Sequence, residues 1–285
     1  MPTSSDSPHF IVRRMRPGEP QLAIDWAAAE GWNPGLDDAS TFHAADPEGF
    51  FIATFDDEPI GCMSAVAYGE SLGFIGLYIV RPEWRGKGYG MQLWRAGMAY
   101  LGTRNIALDG VLAQQANYRK SGFVLAHRNV RYEGFVTGEH DGDLVDARRV
   151  PFDRLLQFDT HHFAAPRETF LRAWLDAPHA NALAAVDGDT LRGYGVIRRC
   201  REGRKIGPLF AQDRRVARAL FRALVATSDE GGKVVLDVPE CNPAAVALAV
   251  EHEMTSVFET ARMFTHAAPV MPLANIFGVT SFELG

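Results

Sequence analysis

Cysteine is scarce in this chain: three residues in 285, Cys62, Cys200 and Cys241, stand far apart with no CxxC pair among them. That excludes a disulfide framework and a cysteine-held structural zinc, and it makes a reducing, cytoplasmic setting the expectation. Basic excess is missing too. Lys and Arg number 29 against 35 Asp and Glu, a formal charge of -6, so nothing supplies the positive face that nucleic acid or an anionic membrane would need. No run of ~18 apolar residues occurs, and MPTSSDSPHF lacks a charged segment followed by an apolar one. Neither membrane spanning nor secretion is expected.

What is present is an ordinary globular composition, 47% hydrophobic and 22% charged. A single core becomes hard to sustain near ~250 to 300 residues, so two domains are expected. Residues 10–16 read as a strand, and Pro17-Gly18 separates it from helices over 21–30 and 37–45. Three β-rich runs follow at 50–55, 60–68 and 74–80, divided by turn residues, which predicts an antiparallel meander. Met91, Trp94, Met98 and Leu101 recur at helical steps after a glycine-rich loop. A strand at 105–109, a short helix at 114–121 and a strand over 122–135 complete an order β-α-α-β-β-β-α-β-α-β. The polar stretch TGEHDGDLVD then reads as a linker, which divides the chain into 9–136, a linker at 137–150, and 151–285. The second part shows helices at 167–175 and 214–227 and strands at 182–186, 193–198, 206–210 and 233–238.

Self-comparison gives these halves a common origin. Ile75-Gly76-Leu77 recurs as Ile206-Gly207-Pro208-Leu209 and Arg131-Tyr132 as Arg262-Met263, both at an offset of 131; Leu108-Asp109 recurs as Leu236-Asp237 at 128. The second copy is therefore shorter between its first two landmarks. In the first copy that interval holds RPEWRGKGYG, and in the second only FAQDRRVARAL.

Glycine is a poor residue with which to begin a helix, yet Gly86, Gly88 and Gly90 precede one, with Arg85 and Lys87 among them. Backbone N–H groups at a helix start lack intrahelical partners and sit at the positive end of the dipole, so stripping the side chains there makes a phosphate cradle. No Gly-Lys-Ser/Thr follows, which disfavours a nucleotide P-loop, and the preceding meander disfavours a dinucleotide fold. A pyrophosphate of another kind is the expected ligand.

The run Arg85, Gly86, Lys87, Gly88, Tyr89, Gly90 resembles the R/Q-x-x-G-x-G/A signature of the GNAT superfamily of N-acetyltransferases, and Tyr118, four residues before Gly122-Phe123, resembles that family's Y-x-x-x-G-F element. The segments RKIGPLFA, LDVPECN, ARMF and FGVTSFELG resemble its tandem YitH-like bacterial subgroup. The resemblance implies an α/β fold (an α+β mixed sheet) of two tandem GNAT-like domains, the second degenerate and bordering the acceptor site. It implies acetyl-CoA as co-substrate, with its pyrophosphate on the 85–90 amides, its pantetheine arm along the backbone of Ile79 and Val80, and Asn117 bonding that arm or merely capping a helix. Tyr118 would be the acid for the leaving sulfur, Trp32 would line the acceptor site, and a primary amine of a small molecule or peptide would be acetylated by direct attack. Homo-oligomerisation stays open. An ammonium acceptor needs a base. Glu70, in the turn before the fourth strand, is the candidate, with a solvated turn glutamate as the alternative; Asp109 and Glu133 are weaker ones. A catalytically silent acyl-CoA sensor or interaction module is the rival function.

Two further features read as structural. His161-His162 on a strand would face opposite ways, so no metal site is expected there. Arg198-Arg199, Arg201 and Arg204-Lys205 read as a solvated hairpin edge, or as an attractor of an acidic substrate or of the CoA 3′-phosphate.

Overall fold

A computed structural model describes residues 9–139, 143–227 and 232–285. Most of the N-terminal stretch read for a targeting signal, and residues 140–142 of the expected linker, lie outside them. The first half runs β1 (Phe10–Arg14), α1 (Pro20–Ala29), α2 (Asp38–Ala45), β2 (Phe50–Phe55), β3 (Glu58–Tyr68), β4 (Leu72–Val80), α3 (Tyr89–Leu101), β5 (Asn105–Val111), α4 (Gln115–Lys120) and β6 (Val124–Phe135). This is the order predicted from periodicity. The second half runs β7 (Leu144–Asp146), α5 (Phe152–Phe163), α6 (Glu168–Leu175), β8 (Ala180–Asp187), β9 (Thr190–Arg199), β10 (Arg204–Ala211), α7 (Arg214–Ala226), β11 (Lys233–Pro239), α8 (Pro243–Glu251), β12 (Thr255–Phe264) and β13 (Ile276–Gly278).

All the strands join one mixed sheet, in the order β1-β2-β3-β4-β5-β12-β6-β11-β10-β9-β8-β7, with β13 beside β10. The centre of that order is crossed. The fifth strand of the first half, β5, pairs with β12 from the second, and the corresponding β11 pairs with β6 from the first. β6 and β12 then pair with each other, antiparallel. The two halves have exchanged their last strands.

Side-chain chemistry fixes the crossing. Asp109 on β5 stands opposite Arg262 on β12, and Asp237 on β11 stands opposite Arg131 on β6. Both pairs are two-pronged: Arg131 bonds Asp237 at 2.7 and 2.7 Å, and Arg262 reaches both oxygens of Asp109. All four side chains are buried, where a fork-to-fork geometry specifies the partner and not merely a charge of opposite sign. A one-residue slip would turn each arginine to the opposite face of the sheet and leave two carboxylates buried alone.

The cores are likewise shared. Phe42 of α2 stacks on Trp174 of α6 with centroids 5.9 Å apart, inside a cluster that also holds Phe74, Phe163 and Tyr194. α3 covers a separate cluster in the first half, built on Met63, Leu93 and Trp94, and α7 and α8 cover another in the second, around Leu220, Leu224 and Leu248.

Two expectations are corrected here. His161 and His162 lie on a helix, α5, and the His162 ring packs on Phe210; the buried Asp159 and His162 had masked its amphipathic pattern. The basic run of the β9–β10 hairpin is a solvated edge only in part: Arg199 and Arg201 are exposed, whereas Arg198, Arg204 and Lys205 are buried. Arg198 is buried on Asp38 and above the Trp174 ring, and the Lys205 ammonium donates to the Asn33 carbonyl at 3.1 Å. The hairpin clamps the loop between α1 and α2, and Arg201 reaches Asp25 on α1 itself. Within the expected linker, Leu144–Asp146 forms the edge strand beside β8.

Candidate active site

The site opens where β4 and β5 part. They pair in parallel from Leu72 with Asn105 to Ile75 with Leu108, and no ladder pair follows. A bulge on β4 redirects the strand: Leu77 and Tyr78 together face the single residue Met63, Leu77 has a φ of 47°, and the Cys62 thiol donates to its carbonyl at 3.2 Å. A cavity of about 920 Å³ occupies the gap. It is bordered by Gly76 to Val80 on one side and Leu108 to Val111 on the other.

At one end lies the glycine loop. Gly86 and Gly88 have φ of 75° and 85°, with nothing within 4 Å of where a Cβ would stand. Gly88 is the N-cap of α3, and no side chain caps this helix, so its first-turn N–H groups face the loop. Gly90 is different. A Cβ there would come within 2.6 Å of the Tyr78 hydroxyl, so this glycine serves the close packing of α3 on β4 as well as the approach of a ligand. Lys87 holds its ammonium 4.9 Å above the Trp84 ring, and Tyr89 packs on Phe10, Phe55 and Trp84. The Arg85 amide already donates to the Pro82 carbonyl; its guanidinium bonds the Val80 carbonyl at 2.7 Å and the Glu30 carboxylate. So the free amides are fewer than the 85–90 run implied, and the Val80 carbonyl is taken. Ile79 is buried and lines the cavity.

Tyr118 and Asn117, on α4, line the opposite wall. The tyrosine ring lies so close over Gly110 of β5 that a Cβ there would meet it at 2.2 Å, and it packs against Trp94 and Phe123. Burial, with Tyr78 adding to it, pushes the phenol up to about 12. It is therefore a neutral donor across the physiological range. The Asn117 amide donates to the Gln114 side chain at 2.7 Å.

The remaining border is aromatic. Trp32 lines it with Phe258 and Phe282, and Arg131 joins them, its guanidinium 4.8 Å from the Phe282 ring and donating to the Trp32 carbonyl at 2.9 Å. Glu70 is not among these residues. It stands exposed in the turn before β4, nine residues before Ile79, the last seven of them roughly 23 Å of strand, because the strand leads away from that turn toward the split. Glu133 lies on β6, paired with Lys233. The carboxylates that do line the cavity are Glu30, Asp109 and Glu283, and no local motif marks the last of them in the sequence. Among the described residues no group of three or more His, Cys, Asp or Glu is placed to hold a metal, and no helix is long and apolar enough to cross a membrane.

The chain matches known proteins along both halves. Residues 19–123 match the acetyltransferase (GNAT) family, and residues 155–278 match a second acetyltransferase (GNAT) domain. The holothin acyltransferase of Pseudoalteromonas sp. (strain SANK 73390) is 30% identical over 267 residues, which cover 93% of this chain and 91% of that protein. Among solved structures, an inferred acetyltransferase from Pyrococcus horikoshii superposes with a TM-score of 0.83 at 22% identity, over 97% of this chain and 96% of that one. A tandem GNAT protein from the clavulanic acid biosynthesis pathway gives 0.63 at 11% identity, over 92% and 100%. At those identities the two structures speak for the fold.

Proposed function

This chain belongs to the GNAT superfamily of acyltransferases and carries two GNAT domains in tandem, and we propose that its first half transfers an acetyl group from acetyl-CoA to a primary amine. One observation carries the reading: a single cavity joins an uncapped, glycine-lined helix start to a neutral, half-buried tyrosine across the split of β4 and β5. The helix start supplies N–H donors for a pyrophosphate. Strand edges left open beyond Ile75 supply hydrogen bonds for an extended arm.

In the reaction the amine lone pair attacks the thioester carbonyl carbon, a C–N bond forms, and the oxygen takes up negative charge that a fixed N–H must stabilise. The C–S bond then breaks, sulfur takes the electron pair, and the proton that nitrogen gives up passes to the released thiolate or to water. Tyr118 donates a hydrogen bond to the leaving sulfur. Because its phenol is held near 12, well above an ordinary thiol at ~8.5, it stabilises the sulfur by hydrogen bonding and not by surrendering its proton outright. Trp32, Phe258 and Phe282 suit an amine borne on a small, largely apolar body, with a cytoplasmic setting as the working context.

Calorimetry with CoA and a thiol-release assay with acetyl-CoA against a panel of amines test this. The panel includes holothin, on which the 30% identical relative is named to act. CoA binding at one site per chain, with amine-dependent thiol release, is expected. Binding without release for any amine would refute acyl transfer.

A further inference from the structure

We propose that Glu283, delivered by the C-terminal segment that follows β13, is the proton acceptor for the amine in the first half's site; the assignment rests on the acyl-transfer reading above. The segment enters from the second half. β13 lies beside β10, the Val279 N–H donates to the Asp237 carbonyl at 2.8 Å, and the chain then crosses to β4. There the Glu283 carbonyl packs on Gly76 so closely that a Cβ at Gly76 would stand 1.9 Å from it. Gly76 is the residue after the last β4–β5 pair, so Glu283 sits where the split begins. The span from Gly76 to Val80 separates it from the strand's loop end by roughly 13 Å.

Three observations favour a chemical role over a packing one. First, Glu283 is 4% exposed, lines the cavity, and its Oε2 has no hydrogen-bond partner, an arrangement that costs free energy unless a ligand donor completes it. Second, the other two carboxylates of the cavity are committed: Glu30 to Arg85, and Asp109 to Arg262 and Asn129. Third, the mount is rigid. Arg167 donates to Thr280 at 2.9 Å, the Leu284 N–H to the Ser281 hydroxyl at 3.0 Å, and the Tyr68 hydroxyl to the Leu284 carbonyl at 3.0 Å. The charged groups facing Glu283 from β6, β9 and β10 are Arg131, Arg198 and Lys205. Arg131 bonds Asp237 and the Trp32 carbonyl, Arg198 bonds Asp38, and Lys205 bonds the Asn33 carbonyl. The Glu283 carboxylate takes one N–H proton from the acceptor ammonium, and the nitrogen lone pair so released attacks the thioester.

Glu283→Gln keeps the shape and removes the base. Using the best cationic amine of the panel at neutral pH, kcat/KM is expected to fall by ~100-fold or more, with CoA affinity within about twofold of the parent. The deficit should shrink as pH rises toward the amine's own pKa, and hydroxylamine, already unprotonated at neutral pH, should show little deficit. Parental rates with the cationic amine, or a deficit equal at every pH and for both acceptors, would overturn the assignment. If Glu283→Gln fails to fold, Glu283→Asp carries the test: it retains a carboxylate, so a slower enzyme with the parental pH profile is expected, and a profile lacking the acidic limb overturns it. No amine turned over by the parent protein defeats acyl transfer itself; a cationic amine turned over equally at neutral pH by parent and Glu283→Gln defeats this assignment alone.

Discussion

The two halves begin their central helices in opposite ways. α3 starts on Gly88 with no side-chain cap, whereas α7 starts on Asp213, whose carboxylate accepts from the Val216 N–H at 2.9 Å. A carboxylate cap contributes ~1 kcal/mol over alanine, while glycine in that place gives up only a few tenths, so the first half forgoes little by leaving its amides bare. The second half has filled its anion site with its own chain. Its strand split is filled too: β10 and β11 pair only from Arg204 with Val234 to Ile206 with Leu236, and the segment from β13 to Val279 then bonds to both. The scaffold was kept in both copies, as the Asp109–Arg262 and Asp237–Arg131 pairs show, and the site diverged. Even the kept pair differs in setting. Burial pushes the Asp109 carboxyl up against one nearby arginine; burial acts on Asp237 as well, but Arg131, Lys205 and Arg198 together hold it low.

The strongest way to break this comparison is to test the pairs that make the halves alike. Asp109→Ala and Asp237→Ala each leave a buried arginine alone and should each cost about 3–5 kcal/mol in urea unfolding; a loss below ~1 kcal/mol at either would end the equivalence. Next comes the helix start. Gly88→Asp places in the first half the kind of carboxylate the second half carries, and CoA affinity should fall by more than ~100-fold through like-charge repulsion at the dipole; unchanged affinity would remove the cradle. Tyr118→Phe should lower acyl transfer by ~10²-fold with CoA affinity intact. In the parent, loss of the donor by ionisation should set in only as pH rises toward about 12, and a decline centred near the ordinary tyrosine value of ~10 would contradict the burial. The smallest effect belongs to Asp213→Ala, about 1 kcal/mol of stability with CoA still bound once per chain. A second CoA site appearing there would mean that the cap alone had closed the second half.

Much of this was legible in the sequence, for reasons that differ by element. α3 declared itself because Trp94, Met98 and Leu101 recur on one face, and the repeat offsets named both members of each exchanged Asp–Arg pair without revealing that they meet across the halves. Strand order is a long-range property, and nothing local to β6 or β12 encodes it. α8 escaped notice because PAAVALAVE is apolar on nearly every face and so has no helical rhythm. Glu70 is near β4 in sequence but sits in the turn away from the split; Glu283 is distant in sequence and near β4 in space. No spacing rule reports a residue brought in from some two hundred positions along the chain, as Glu283 is to Gly76.

The crossed strands also bear on what the connection between the halves does. A chain cut between β6 and β7 would yield two fragments, each presenting its own last strand to the other's sheet and neither owning the neighbour that its fifth strand requires. Such fragments can regain the native sheet only by meeting each other, a bimolecular event that depends on dilution. In the intact chain the covalent link fixes an effective concentration, typically in the millimolar range for short linkers, and turns that encounter into an internal step.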